Sequence, residues 1–241
     1  MKRRHYTITT ETQYRNFDIY SNKRKTAKGH YVDILDRTFN GIEELFTHTS
    51  RINVIRFDLA FKNADEFVEI EDDASKLVSN FFTRLKRRLK AWTDEDGNNK
   101  GIDDIFHVFV RERSKEKKAH FHCAIAFKSI SKYSTAISKN GEYQWIYKKI
   151  ADAWLETCAI GNVNFGSRWK GKQVNHFYCV DRKDIDGQAN LMKGLSYLSK
   201  VNTKEKLPKS TRMFTFSRSI GKGPTAFKLD GAKDRNEQEA A

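Results

Sequence analysis

Two histidines one residue apart, His120 and His122, stand in the run Ala119-His120-Phe121-His122-Cys123-Ala124-Ile125-Ala126-Phe127. Successive side chains of a β-strand point to opposite faces. Ala119, Phe121, Cys123, Ile125 and Phe127 then form an apolar face, and His120, His122, Ala124 and Ala126 line the other. Two imidazoles on one side of a rigid strand are the beginning of a divalent-metal site, and two small alanines beside them leave room for a second molecule. The same pattern also fits two histidines on a solvated sheet face, so the metal reading needs partners elsewhere in the chain.

A second run with chemical potential is Lys193-Gly194-Leu195-Ser196-Tyr197-Leu198-Ser199-Lys200. On a helix, Tyr197 follows Lys193 by four residues and precedes Lys200 by three, which sets a phenol between two ammonium groups while Leu191, Leu195 and Leu198 anchor other faces. Neighbouring cations favour the phenolate. A tyrosine so placed can attack phosphorus when a metal polarises the phosphate oxygens. Tyr-x-x-Lys alone is equally a packed tyrosine beside an exposed lysine, and its meaning comes from company.

The chain has 241 residues, 38% of them hydrophobic, enough for a core in one large domain or one domain with extensions. Forty-five Lys and Arg stand against 31 Asp and Glu, a net charge of +14 spread through the sequence, with a pI near 9.6. Such a balance is the footprint of a nucleic-acid binder and argues against a disordered chain. Cys123, Cys158 and Cys179 form no CxxC pair and sit in apolar runs, as core thiols in a reducing cytoplasm would. A basic start without an apolar stretch after it, and the lack of any run long enough for a bilayer, predict a soluble cytoplasmic protein with no membrane partner.

Residues 1–50 read as an extension with one short helix over 40–47. Ile55, Phe57, Leu59 and Phe61 alternate with Arg56, Asp58 and Ala60, the pattern of a half-buried strand. Leu77, Val78, Phe81, Phe82, Leu85, Leu89 and Trp92 recur at helical spacing, and the opposite face carries Lys76, Arg84, Lys86, Arg87, Arg88 and Lys90. A helix face with six cations and almost no acids suits phosphates, which makes Arg84, Arg87 and Arg88, with Lys193 near the tyrosine, candidate DNA contacts. Residues 105–113 predict a strand hairpinned to the histidine strand through 114–118. A Ser- and Lys-rich linker precedes a helix with Tyr143, Ile146, Ile150, Trp154 and Leu155 on one face; strands over 160–165 and 174–180 and a last helix over 186–200 follow. Residues 206–241 form a C-terminal segment, frayed beyond Gly221. Strand, helix, strand, strand, helix, strand predicts an α+β fold of ferredoxin-like type over 51–205: an antiparallel sheet with helices on one face and an open face for a site.

Three motifs in this order, Phe57-Asp58-Leu59-Ala60-Phe61, His120-Phe121-His122 and Tyr197-Leu198-Ser199-Lys200, resemble the HUH endonucleases, the rolling-circle replication initiators and their relatives. The phrases Ile55-Arg56-Phe57-Asp58-Leu59, Val110-Arg111-Glu112-Arg113, His120-Phe121-His122-Cys123-Ala124 and Tyr197-Leu198-Ser199-Lys200-Val201 resemble more narrowly the inovirus gene-two-type family, with its YagK/YfjJ-like prophage proteins. The resemblance implies that His120 and His122 hold Mg²⁺ or Mn²⁺, that Tyr197 attacks single-stranded DNA at a replication origin to leave a 5′-phosphotyrosine adduct and a free 3′-hydroxyl primer, and that Lys200 neutralises charge at the phosphate. It also implies a host helicase and polymerase as partners.

Relatives often place an acid where Glu112 stands, which makes it the first choice as third metal ligand. Strand alternation argues against it, because Glu112 shares parity with Phe106, Val108 and Val110 and would face the core without a bulge. Asp58 is the rival and Glu116 a third choice, while His107 and His176 read as partly buried or surface histidines. A HUH-type transposase, a non-catalytic nucleic-acid-binding regulator on the same fold, and an unrelated metallohydrolase are the competing functions.

Overall fold

The alternation around Asp58 and His122 is realised as a pair of long neighbouring strands at the centre of one sheet. The structure is a computed structural model that describes residues 6–21, 28–61, 74–93, 97–99, 101–113, 119–129, 143–169, 172–202, 213–217 and 227–229. Four two-residue strands, β1 (Ile8–Thr9), β2 (Gln13–Tyr14), β3 (Phe17–Asp18) and β4 (His30–Tyr31), precede α1 (Val32–His48). Then come β5 (Arg51–Phe61), α2 (Ala74–Lys90), β6 (Ile105–Arg113), β7 (Ala119–Lys128) and α3 (Trp145–Thr157). The chain continues through β8 (Gly161–Asn164), β9 (Gly166–Trp169), β10 (Lys172–Asn175) and β11 (Phe177–Asp181) to α4 (Ile185–Ser196), a 3-10 turn over Tyr197–Ser199, and β12 (Phe214–Phe216).

The main sheet is antiparallel, ordered β11-β5-β7-β6-β12, and β8 takes the far end of the β5 edge that β11 shares. Its two faces are both covered. Ile55, Phe57, Leu59, Phe109, Phe121, Cys123 and Ile125 meet α2 and α3 in one core. Ile52, Val54, Phe106, Val108, Val110, Ala124 and Ala126 meet α1 and α4 in a second. The fold is α+β and antiparallel as expected, but the expected open face is not there: α1 covers Ala124 and Ala126, so the space beside the alanines holds a helix. Gly41 of α1 permits this approach, since a Cβ there would meet the Phe106 ring at 2.1 Å.

Residues 1–50 thus contribute far more than an appendage. Phe17, Ile19, Ile34, Leu35, Phe39, Ile42, Leu45 and Phe46 are all buried in the second core. The segment beyond Gly221 also docks in part, with Leu229 buried and its N–H donating to Glu43 Oε1. The strand expected over 174–180 is split at His176, and Leu155 is exposed instead of facing the α3 core. Cys123 and Cys158 are buried as expected, whereas Cys179 is exposed. The linker expected at 129–139 falls almost wholly outside the described residues, as do the 114–118 turn with Glu116 and the acidic turn before α2. Among the described residues no helix is long and apolar enough to cross a membrane.

Candidate active site

Register decides which side chains share a face. Val110 pairs with His122 and Glu112 with His120, so Glu112 stands on the histidine side without a bulge. The parity it shares with Phe106, Val108 and Val110 does not turn it away from the histidines, because the histidine face is itself a core face, closed by α1 over the alanines and open to polar groups at the Glu112 end. Asp58 pairs directly with His122, and Arg56 precedes it by two on the same side of β5.

Glu112, His120 and His122 offer one ligand atom each, all within 4.8 Å of one another, a group that could hold a metal ion. Glu112 Oε2 lies 3.1 Å from His122 Nε2 and 3.9 Å from His120 Nε2, and the two Nε2 atoms are 3.3 Å apart. The carboxylate is 2% exposed, His122 8% and His120 26%, so the group opens to solvent through His120. Asp58 lies on the other side of the ring, its Oδ1 2.5 Å from His122 Nδ1, and is not among the three converging donors. Burial alone would push His122 down, but the Glu112 and Asp58 carboxylates outweigh it and raise its pKa. For Asp58 burial pulls upward, and His122 and Arg56 prevail and lower it, which keeps it ionised.

Tyr197 reaches this group because α4 packs against β11 and ends with the Tyr197 ring beside His122. Asp184 caps the helix by accepting from the Gly187 N–H at 2.8 Å. Gly194 lets α4 sit against β11: a Cβ at that position would meet the Tyr178 hydroxyl at 2.0 Å. The α-helix ends at Ser196, and the Tyr197 ring stands edge-on to His122, centroids 5.3 Å apart. Lys200 departs from its expected place on the helix face. The 3-10 turn carries it inward, where it is 3% exposed, with Nζ 3.2 Å from Glu112 Oε2 and 3.7 Å from the centroid of the Tyr197 ring. Burial lowers the Lys200 pKa and Glu112 opposes the shift. Lys193 is exposed on α4.

Arg56, Tyr20 and His30 belong to the site and were not singled out from the sequence. Arg56 donates to the Gly194 carbonyl at 2.6 Å and sets its guanidinium 4.6 Å from the Tyr197 ring centroid. The Tyr20 ring lies 5.0 Å from that of Tyr197, and the Tyr20 N–H donates to Ser196 Oγ at 2.7 Å. His30, buried, contacts the Tyr20 carbonyl at 2.9 Å and Ser199 Oγ at 2.8 Å, so the N-terminal segment fastens the turn that carries Tyr197. Only Arg56 left a signal, its parity with Asp58. His176 faces Arg56 across the sheet edge, and burial and Arg56 push it down to about 4. Arg84 and Arg87 are exposed, and Arg88 bonds Glu156 of α3; their helix lies on the sheet face opposite Tyr197.

An antiparallel sheet between helices, with a His-x-His and glutamate cluster that opens to solvent at His120, beside a helix-terminal tyrosine and a buried lysine, defines an α+β protein with a candidate metal centre. The sequence model of the YagK/YfjJ C-terminal domain matches residues 9–217, and the chain belongs to that family. No curated protein and no solved structure matches it.

Proposed function

We propose that the chain is a metal-dependent, single-tyrosine endonuclease and strand transferase of HUH type that nicks single-stranded DNA at a replication origin and so primes rolling-circle replication. The observation that carries this reading is the meeting of Glu112, His120 and His122 with Tyr197 and Lys200, five residues from two distant parts of the sequence. Two imidazoles and a carboxylate fit a divalent ion, and nitrogen donors favour Mn²⁺ over Mg²⁺ in intrinsic affinity. When bound by these three residues, the ion supplies charge neutralisation at the phosphate oxygens.

The chain's own residues do the rest. The Tyr197 phenol loses its proton and its oxygen attacks phosphorus; the P–O3′ bond breaks and the 3′-oxygen gains a proton. The product is a 5′-phosphotyrosine with a free 3′-hydroxyl that a host polymerase can extend once a host helicase has opened the duplex. Lys200 holds positive charge beside the phenol and stabilises the negative charge that gathers at the phosphate. Arg56 steadies the tyrosine ring. Lys193 meets the DNA backbone near the nick, and Arg84, Arg87 and Arg88 bind DNA that passes beyond the site, since α2 is on the far face. Incubation with a pool of short single-stranded oligonucleotides and Mn²⁺ should give nicked DNA and a covalent adduct on a denaturing gel. Full cleavage in EDTA would refute the metal reading, and cleavage without any adduct would favour a metallohydrolase.

A further inference from the structure

We propose that Asp58 is a positioning residue that holds the His122 ring as its Nδ1–H tautomer, so that the Nε2 lone pair faces Glu112 and His120. The inference rests on the metal reading above only for its consequence, not for its geometry. Asp58 and His122 are direct cross-strand partners on β5 and β7, which fixes the two side chains face to face. The bond between Asp58 Oδ1 and His122 Nδ1 is 2.5 Å long, while Nε2 at the far corner of the ring lies 3.1 Å from Glu112 Oε2 and 3.3 Å from His120 Nε2.

Of the two carboxylates at the ring, Asp58 makes the shorter contact and Glu112 Oε2 already pairs with Lys200 Nζ at 3.2 Å, so the ring proton sits on Nδ1. A neutral imidazole with its proton there has its one lone pair at Nε2, the atom that converges with the other two donors. The ring separates Asp58 from those donors, which makes it the orienting partner and not a ligand. Carboxylates that fix a ligating histidine in this way typically contribute 10–100-fold in metal affinity.

The test uses the full chain. Mn²⁺ affinity is read from the electron paramagnetic resonance of free Mn²⁺, and the His122 tautomer from long-range ¹H–¹⁵N correlations of the metal-free protein at alkaline pH. Asp58→Ala should weaken Mn²⁺ binding by about 10–100-fold and bring up the Nε2–H form of His122. Asp58→Leu deletes the same acceptor while filling its volume and serves if the alanine variant does not fold. Asp58→Asn returns an uncharged acceptor and should restore part of the affinity. Unchanged affinity and tautomer in the alanine or leucine variant would overturn the proposal. So would loss of affinity equal to that of His122→Ala with the tautomer unchanged, which would make Asp58 a ligand. If the unaltered protein takes up no Mn²⁺, the metal reading falls, and the tautomer measurement alone decides the role of Asp58.

Discussion

A single oxygen, Glu112 Oε2, stands within 4 Å of both His120 and His122 and of the Lys200 ammonium. Glu112→Ala leaves a buried lysine without its carboxylate, and breaking a buried ion pair in this way costs about 3–5 kcal/mol. Chemical denaturation of the metal-free variant should show that loss, together with loss of nicking. His120→Ala and His122→Ala should abolish cleavage and leave single-stranded DNA binding largely intact, because binding draws mainly on backbone charge; equal losses in a filter-binding assay would contradict this. Lys200→Ala should slow the nick without eliminating it. The residues of this cluster were legible because strand alternation and the His-x-His and Tyr-x-x-Lys spacings survive in one dimension. The side of Glu112 was not, since parity on one strand has no meaning until register ties it to the next. The burial of Lys200 was hidden for a different reason: it follows from the change from α-helix to 3-10 turn at Tyr197.

At the scale of elements, α2 and β6 carry the next two expectations. Replacing Arg84, Arg87 and Arg88 by Gln should flatten the slope of log K against log salt by up to about three phosphate contacts. Because α2 lies across the sheet from Tyr197, the same variant should nick a saturating short oligonucleotide at the normal rate; an unchanged salt slope would assign this face to solvent or a protein. His107 of β6 stacks on Phe82 of α2 at 4.1 Å, and burial, with Lys86 nearby, pushes it down to about 3 from 6.5. The unfolded chain therefore binds this proton first, so stability is full above pH 6.5 and declines by a few kcal/mol as pH falls toward 3. His107→Leu should flatten that acid limb in melts followed by circular dichroism. The amphipathic periods of α2 and α3 and the alternation of β5 to β7 were readable, whereas α1 was seen only in its second half. It starts at Tyr31 without a side-chain cap, so the usual start signal is missing, although Ile34, Leu35, Phe39 and Ile42 keep the helical spacing.

Over the whole molecule, covering both faces of the sheet makes the N-terminal segment part of the site. Removing residues 1–31 would expose the pockets of Phe17 and Ile19 and release the Tyr20 and His30 contacts to the Tyr197 turn. Such a protein should melt at a markedly lower temperature and fail to nick. A truncated chain with full activity would return that segment to the status of an appendage.

Tyr197 is the proposed nucleophile. Its rivals are differently placed: burial drives Tyr147 up to about 12, and the half-buried Tyr178 lies against Gly194, where burial also raises its pKa. Digestion of the covalent protein–DNA adduct and mass spectrometry of the DNA-linked peptide reads the attachment point directly. The expected result is a single adduct on Tyr197 that disappears in Tyr197→Phe while fold and DNA affinity persist. An adduct on any other tyrosine, including Tyr20 with its ring 5.0 Å away, would contradict the assignment.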